Sequence, residues 1–339
     1  MNRQPRPQGA LAIDAEMARQ HPDARATFTA NHSMAMQIAA SLKKTGNLLM
    51  LGMGASHAVA RMVEPLYREA GIEALSLPLS EQLGQPLPIA GRTILLASQS
   101  GESAEILRWL DESPACDSDV FGLTLAENST LAAHAPSMVG AGGVETAFAA
   151  TRSLTVTLAM HMAILDAIGV DVSAAQNVLQ SPQAAPVSAL VNAFDQVQTI
   201  VVSGRTLQGA AEALALGLTE LSRLPCFALE GGQLRHGPME MLGPDVGVVL
   251  FKAEDATASL VDRMAHSAAE AGSPVILFDA SSAPLRHSGV TVLSAGAHSG
   301  LAAIFALLPL AQTFMLEFAV ARVSDAGTPV RSSKITRSE

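Results

Sequence analysis

The chain has 339 residues, of which 49% are hydrophobic and 15% are charged, and its formal net charge is −10 at pH 7. This composition excludes an intrinsically disordered protein, and the length predicts one large or two modest domains. The negative charge argues against nucleic-acid binding, which needs a basic face, so any anionic ligand must be held by a local site.

Helical and strand patterns alternate along the chain. Residues 1–45 form a predicted N-terminal helical segment with one long helix over 13–44. Apolar runs without polar alternation then predict buried strands, and each region after them with helical spacing predicts a helix. The predicted elements are strand 47–52, helix 55–70, strand 93–98, helix 103–112, strands 119–125 and 137–142, helix 151–168, strand 199–204, helix 208–222, strand 246–251, helix 256–271, strands 273–279 and 290–296, and helix 301–322.

The second half of this series repeats the first, since each strand has a counterpart half a chain later. Strands that alternate with helices of this length predict parallel sheets covered on both faces. We therefore predict an α/β protein built from two tandem, doubly wound parallel sheets in flavodoxin-like three-layer subdomains. The predicted boundaries are 46–170 for the first subdomain, 171–190 for a linker, 191–324 for the second subdomain and 325–339 for a C-terminal tail.

The stretch LLASQSGES, residues 95–103, indicates a binding function. An apolar strand stops in small polar residues, and a helix follows directly. Such a unit directs the free N–H groups and the positive dipole end of the helix at one point, where hydroxyls and glycine let a phosphate come close. The alternative is a serine N-cap with an ordinary turn.

Ligands of doubly wound sheets bind beyond the carboxyl ends of the strands, near the switch in strand order. Loops 52–56, 98–103 and 142–152 all follow strands of the first half, so we expect them to converge on one crevice. This convergence favours the anion-binding interpretation.

Three motifs together resemble the sugar isomerase (SIS) family. They are Gly52-Met53-Gly54-Ala55-Ser56, Ser98-Gln99-Ser100-Gly101-Glu102-Ser103 and Arg235-His236-Gly237-Pro238. The resemblance covers roughly residues 40 to 335. More narrowly, the chain resembles the isomerase half of glucosamine-6-phosphate synthase and its stand-alone relatives, the glucosamine-6-phosphate deaminases and fructosamine-phosphate deglycases. Since the chain begins almost directly at the first helix, we expect no glutaminase domain and no glutamine-dependent synthesis.

The resemblance implies a binding site for a sugar phosphate that needs no lysine in its phosphate loop. Hydroxyl and amide donors with backbone N–H groups suit a dianion. For Ser56 the alternative is a plain helix N-cap. The implied binding residues are Gly54, Ser56, Ser98, Gln99, Ser100, Ser103 and Thr151.

The resemblance also implies three catalytic residues. Glu220 would shuttle a proton between C1 and C2 of the sugar, and His236 would open the sugar ring across a dimer interface. Lys334, five residues after Pro329, would assist at the carbonyl carbon from a tail folded over the sugar. The alternatives are a solvated helix residue, a structural loop histidine and a tail charge.

Several positions depart from the family pattern. Gly217 stands where the synthase has a lysine, three residues before Glu220. SGRT at 203–206 is offset by one residue from the usual G-R-G, and Ala150 replaces a small polar residue between Glu145 and Arg152. These departures leave the substrate and the net reaction open.

Three functions are therefore open at the level of sequence. The first is an aldose–ketose isomerase or deaminase that converts glucosamine 6-phosphate into fructose 6-phosphate and ammonia. The second is a fructosamine 6-phosphate deglycase. The third is a phosphosugar-binding SIS protein without activity, which the presence of both Glu220 and His236 disfavours.

The cysteines and the hydropathy pattern bear on disulfides, metal sites and the cellular compartment of the protein. Cys116 and Cys226 give neither a disulfide framework nor a metal-ligand spacing. The N-terminus lacks the apolar core of a signal peptide, and Pro309 and Glu317 make segment 301–320 a buried helix and not a membrane span. We expect a cytoplasmic homodimer with a phosphosugar ligand and with no metal, cofactor, nucleic-acid or membrane partner.

Overall fold

A computed structural model describes residues 5–112 and 119–336. Within these residues the chain forms two sheets of five strands each, and its contacts divide it into two compact units. The N-terminal unit comprises residues 16–180 and the described residues from 330 onward. The C-terminal unit comprises the described residues up to 15 and residues 181–329.

The N-terminal unit is a parallel sheet with helices on its faces. Helix α1 (Gln8–Ala30) enters this unit at residue 16. The further elements are α2 (His32–Thr45), β1 (Asn47–Gly52), α3 (Gly54–Glu69), β2 (Glu73–Pro78), α4 (Leu79–Gly84), β3 (Thr93–Ala97), α5 (Ala104–Glu112), β4 (Asp119–Thr124), α6 (Thr130–His134), β5 (Ser137–Val139), α7 (Arg152–Ile168) and α8 (Ser173–Gln180). The strand order is β2-β1-β3-β4-β5, and every pairing is parallel.

The C-terminal unit repeats this topology. Its elements are α9 (Ser188–Ala193), β6 (Thr199–Ser203), α10 (Gln208–Ser222), β7 (Cys226–Ala228), α11 (Gly231–Arg235), a 3-10 turn (Pro238–Met241), β8 (Val246–Ala253), α12 (Ala258–Glu270), β9 (Val275–Ala280), β10 (Val290–Ser294) and α13 (Gly300–Arg322). Its order, β10-β9-β8-β6-β7, is the same sequence of steps read from the other edge. In both sheets the first strand lies between the second and the third.

The predicted fold class is confirmed. Every residue of β3 and of β9 is buried, which explains why these strands carry apolar runs without alternation. In a parallel sheet both faces are covered by the crossover helices, so neither face of a central strand needs polar side chains. The structure is a tandem pair of α/β subdomains, as predicted.

Helix α13 illustrates how apolar the core of the C-terminal unit is. Among the described residues it is the single helix long and apolar enough to cross a membrane, but 83% of its most apolar window is buried in the protein. It packs on α10 and β9 within its own unit. Helix α13 is therefore a core helix, as predicted for segment 301–320.

The structure corrects three details. The single predicted helix over 13–44 is two helices that part at Asn31. The Asn31 side-chain amide donates to the Val139 carbonyl at 2.9 Å and accepts from the Val139 N–H at 3.1 Å, so it serves as a partner for β5.

Strands β2 and β7 were not predicted. Both are half-exposed and lie at a sheet edge, and β7 has only three residues. Within the predicted linker 171–190, Ser173–Gln180 form a helix of the N-terminal unit.

Candidate functional site

The site in the N-terminal unit begins at the switch in strand order. From β1 the chain turns to the edge strand β2 on one side and then to β3 on the other, so the loops after β1 and β3 diverge and open a crevice. Gly52 pairs with Ala97 in register, which starts both loops side by side. A Cβ at Gly52 would lie 3.1 Å from the Ser56 Cβ and 3.2 Å from the Ala97 carbonyl oxygen, so the close approach favours glycine.

The loop after β3, residues 98–103, is called the Ser loop below. Ser98 and Ser100 are only 7% and 8% exposed. The Ser98 hydroxyl oxygen accepts the Gly101 N–H at 3.1 Å, and the Ser100 hydroxyl oxygen accepts the Glu102 N–H at 3.2 Å. A hydroxyl that accepts a backbone proton still has its own proton to donate, so both side chains can donate to an acceptor.

The Ser loop is anchored to the loop after β4. The Glu102 carboxylate accepts the Thr130 N–H at 2.6 Å and the Thr130 hydroxyl at 3.0 Å. Gly101 has a φ of 65°, in the left-handed region, and a Cβ there would lie 2.2 Å from the Ser129 Oγ. Glycine is therefore required at 101 by backbone conformation and by space, which fixes the shape of the loop.

Gly54 and Ser56 lie in the first turn of α3, which follows β1 almost directly. Helix α3 begins at Gly54, and Met53 occupies its N-cap position without a side-chain hydrogen bond. Ser56 lies in the first turn, so the plain N-cap alternative for Ser56 is wrong. Burial lowers the pKa of the neighbouring His57, as does the charge of Arg61, so both effects favour the neutral imidazole.

The third loop, residues 140–151, is held by the buried ion pair between Arg152, the first residue of α7, and Glu16 of α1. Arg152 is 0% exposed and contacts Glu16 at 2.6 Å and Asp23 at 3.2 Å. It also donates to the carbonyls of Ala141 and Gly143. Burial raises the pKa of Glu16, but the hydrogen bonds that it accepts outweigh this and hold the pKa below its usual value. The network fixes the backbone that leads to Thr151.

Glu145 lies where this loop meets the Ser loop. It is 0% exposed, and its Oε1 accepts the N–H groups of Thr151 and Arg152 at 3.0 and 2.8 Å. Its backbone carbonyl accepts the Gln99 side-chain amide at 3.0 Å. Glu145 therefore connects the start of α7 to the Ser loop, a role that its place in the sequence motif did not reveal.

The C-terminal tail places Lys334 next to Glu145. The Lys334 Nζ lies 3.2 Å from the Glu145 Oε2 and 3.3 Å from the Phe148 carbonyl oxygen. The Thr336 carbonyl accepts the Ala104 N–H at the start of α5 at 3.1 Å. The tail therefore contacts both the start of α5 and the loop that carries Glu145.

The other two predicted catalytic residues belong to the C-terminal unit. Glu220 is half-buried in the last turn of α10, and His236 is exposed directly after α11. Glu230 caps α11 by accepting the Gly232 N–H at 2.7 Å, and Gly237 follows His236 with a φ of 110°. The backbone on both sides of His236 is thereby constrained.

Gly217 departs from the family pattern for a packing reason. It is buried in α10, and a Cβ there would lie 2.3 Å from the Met315 sulfur in α13. A larger residue at this position needs the Met315 side chain to move. The contact between α10 and α13 therefore favours glycine at the position where the synthase pattern has a lysine.

The second sheet repeats the topology of the first without its chemistry. Its loop after β8 carries Glu254 and Asp255 where the first sheet has the Ser loop. Asp255 accepts the Thr257 N–H at 2.7 Å and the Thr206 hydroxyl at 2.5 Å. Carboxylates at this place repel an anion, so this loop lacks the neutral hydroxyl donors that the Ser loop has.

Other groups able to supply chemistry are few in the part of the chain that the structure describes. No group of three or more histidine, cysteine, aspartate or glutamate side chains there could hold a metal ion. Burial raises the pKa of the Cys226 thiol to about 11, so this cysteine is a protonated thiol at pH 7 and not a nucleophile. Cys116 lies outside the described residues.

The family model described as SIS domain matches residues 194–322, within the C-terminal unit. The resemblance to the SIS family is confirmed, and the N-terminal unit has the same strand order.

Curated relatives and solved structures cover more of the chain. Glutamine–fructose-6-phosphate aminotransferase [isomerizing] of Legionella pneumophila is 26% identical over 309 residues, 85% of this chain. The chain spans about half the length of the curated relatives it matches, 50% in this case.

Solved structures share the fold at lower identity. The C-terminal domain of glucosamine-fructose-6-phosphate aminotransferase from Francisella tularensis has a TM-score of 0.81 at 19% identity, over 94% of this chain and 98% of that one. Tagatose-6-phosphate ketose/aldose isomerase from Escherichia coli has a TM-score of 0.76 at 19% identity, over 95% and 96%. Glucosamine-6-phosphate deaminase from Thermotoga maritima has a TM-score of 0.69 at 18% identity, over 92% and 99%.

Proposed function

We propose that the protein is a phosphosugar enzyme that opens the sugar ring and moves a proton between C1 and C2. The observation that carries this proposal is the Ser loop, which follows β3 at a strand-order switch and holds the almost fully buried Ser98 and Ser100. The names of the relatives support it, since each names an aminotransferase, isomerase or deaminase of hexose 6-phosphates.

The phosphate is assigned to neutral donors of the N-terminal unit. Hydroxyls and backbone N–H groups at the start of a helix stabilise a dianion, and they do so in a protein whose net charge is negative. The sugar phosphate would be held by Gly54, Ser56, Ser98, Gln99, Ser100, Ser103 and Thr151.

The proposed chemistry uses one acid–base pair and one amine. His236 exchanges a proton with the ring oxygen and opens the ring, because an imidazole can both donate and accept a proton. Glu220 removes the proton from C2 and returns it to C1. Lys334 polarises the carbonyl at the reacting end, and the tail shields the open-chain sugar from water.

The substrate we propose to test first is glucosamine 6-phosphate. Proton transfer from C2 to C1 of its open-chain form gives an imine at C2. Water then adds at C2, ammonia leaves, and fructose 6-phosphate is the product. The enzyme needs no metal or redox cofactor for these steps, since only protons, water and ammonia are exchanged.

The proposal is tested by product analysis with three substrates. We expect ammonia release from glucosamine 6-phosphate, measured by an enzyme-coupled assay, and no amine release from fructosamine 6-phosphates. The reverse pattern would identify a deglycase, and turnover of hexose 6-phosphates alone would identify a plain isomerase. Binding without turnover of any of them would contradict an enzymatic function.

Glu220→Gln tests the assigned base. We expect unchanged phosphosugar affinity and a kcat lower by on the order of 10²-fold or more, the usual scale of a lost general base. Glu212→Gln is the matched control, since Glu212 is another half-buried glutamate of α10. Equal kcat values for the two variants would remove Glu220 from the mechanism.

We further propose a cytoplasmic homodimer in which His236 serves the partner's site. Two-fold dimers are the commonest symmetric assembly of soluble proteins. Sedimentation velocity of the active enzyme measures the assembly, and an active monomer would contradict this part of the proposal.

A further inference from the structure

Glu145 is a buried carboxylate with donors on both oxygens. Its Oε1 accepts the Thr151 and Arg152 N–H groups and the Thr151 hydroxyl, at 2.8 to 3.0 Å. Its Oε2 accepts the Ser153 hydroxyl at 2.6 Å and the Lys334 ammonium at 3.2 Å. A buried carboxylate is costly unless it is paired in this way, so the arrangement is specific.

The two carboxylate oxygens of Glu145 have different partners. Oε1 satisfies the first N–H groups of α7, a helix of 17 residues whose positive dipole end also stabilises the negative charge. Oε2 is left for Ser153 and for the tail. Because α7 and Ser153 still donate to the carboxylate when Lys334 leaves, the ammonium contact can break and reform while both oxygens of Glu145 keep a hydrogen bond.

The same residue also reaches the Ser loop. The Glu145 carbonyl accepts the Gln99 amide, while the neighbouring Phe148 carbonyl accepts the Lys334 ammonium at 3.3 Å. The Lys334 side chain is 21% exposed, whereas that of Glu145 is 0% exposed. A rigid buried carboxylate therefore holds an accessible amine at a set place beside the Ser loop.

We propose that Glu145 is a positioning residue that docks the C-terminal tail and sets Lys334 beside the phosphosugar. This inference rests on the proposed function for the role of Lys334, but the docking itself is independent of substrate. The Glu145 side chain acts through Lys334 and does not touch the reacting atoms.

Tail docking is measured without substrate by limited trypsin digestion. Arg331 and Lys334 are trypsin sites in the tail, and intact-mass spectrometry reports their cleavage. In Glu145→Gln the amide keeps an acceptor for α7 but loses the charge that attracts Lys334, so we expect tail cleavage on the order of tenfold faster. Ser153→Ala is the matched control, because it removes the other donor from Oε2 and keeps the charge; its tail should stay protected.

Lys334→Met tests the same contact from the other end. We expect faster cleavage at Arg331 in this variant, which leaves Glu145 and its buried network in place. This arm covers the case in which Glu145→Gln unfolds. Cleavage at the wild-type rate in Lys334→Met, or in a folded Glu145→Gln, would overturn the proposal.

A double-mutant comparison tests the positioning role in catalysis. With glucosamine 6-phosphate, Glu145→Gln should lower kcat by on the order of 10- to 100-fold with a smaller change in KM, the scale of a misplaced catalytic group. In the Lys334→Met background the same substitution should cause no further loss. Losses that multiply in the double variant would show that Glu145 acts on something other than Lys334. If no phosphosugar is turned over, the proposed function fails, and the digestion still decides whether Glu145 docks the tail.

Discussion

Gly101→Ala tests whether the shape of the Ser loop creates the binding site. Gly101 has a φ of 65°, where an L-residue is strained, and an added Cβ would lie 2.2 Å from the Ser129 Oγ and 2.5 Å from the Ser129 Cβ. The Ser129 hydroxyl also caps α6 by accepting the Ala132 N–H at 3.3 Å. The substitution therefore strains the loop and displaces a helix cap together.

The magnitude follows from these two effects. A non-glycine residue in the left-handed region costs roughly 1–2 kcal/mol, and loss of a serine cap costs about 1 kcal/mol. We expect Gly101→Ala to lower the free energy of unfolding by about 2–3 kcal/mol in the N-terminal unit, and to weaken phosphosugar binding because the Ser98 and Ser100 hydroxyls move with the loop.

Urea unfolding and calorimetric titration with glucosamine 6-phosphate measure the two effects. Adding Ser129→Gly to Gly101→Ala removes the colliding side chain, so binding should recover in part while the cap stays lost. Gly84→Ala is the control, since Gly84 has no neighbour within 4 Å and an ordinary φ; it should bind normally. Normal binding by Gly101→Ala would refute the argument that the loop conformation creates the site.

Two further predictions concern stability and the tail. Burial lowers the pKa of His161 to about 3, so the folded protein keeps this ring neutral beside the Tyr67 hydroxyl. The unfolded chain gains this proton below about pH 6.5, and stability is lost from there toward pH 3 at about 1.4 kcal/mol per pH unit. His161→Gln should flatten the urea-midpoint profile between pH 7 and 5, and parallel profiles would contradict it. Arg223 caps α10 with a φ of 59° and pairs with Asp325 at 2.9 Å. Arg223→Gly should keep or raise the melting temperature, because glycine favours this φ, yet speed hydrogen exchange around Thr328; unchanged exchange would show that the ion pair does not hold the base of the tail.

The sequence was sufficient for the architecture because its signals are local. The runs 94–97 and 275–278 are apolar throughout, so they predict central strands of a covered parallel sheet without any tertiary information. The strand, Ser loop and helix around Gly101 follow from the same local signals. The strand order then places the Ser loop in a crevice, as expected for a doubly wound sheet.

The missed features depend on contacts between distant residues. The break at Asn31 exists because its side chain pairs with Val139, more than a hundred positions away. Strand β7 has three residues and no periodicity that could be read. The contact between Glu145 and Lys334 spans 189 positions, and neither residue carries a local signal for the other.

The central claim is proton transfer between C1 and C2 of a phosphosugar, and deuterium at C2 of glucosamine 6-phosphate reports it directly. Incubation of the labelled sugar with the enzyme, followed by NMR and mass spectrometry of the sugar, locates the label. The account predicts that deuterium leaves C2 and is found at C1 of fructose 6-phosphate or in water, and that Glu220→Gln abolishes this movement. Glucosamine 6-phosphate that binds to the enzyme and retains all of its deuterium at C2 would contradict it.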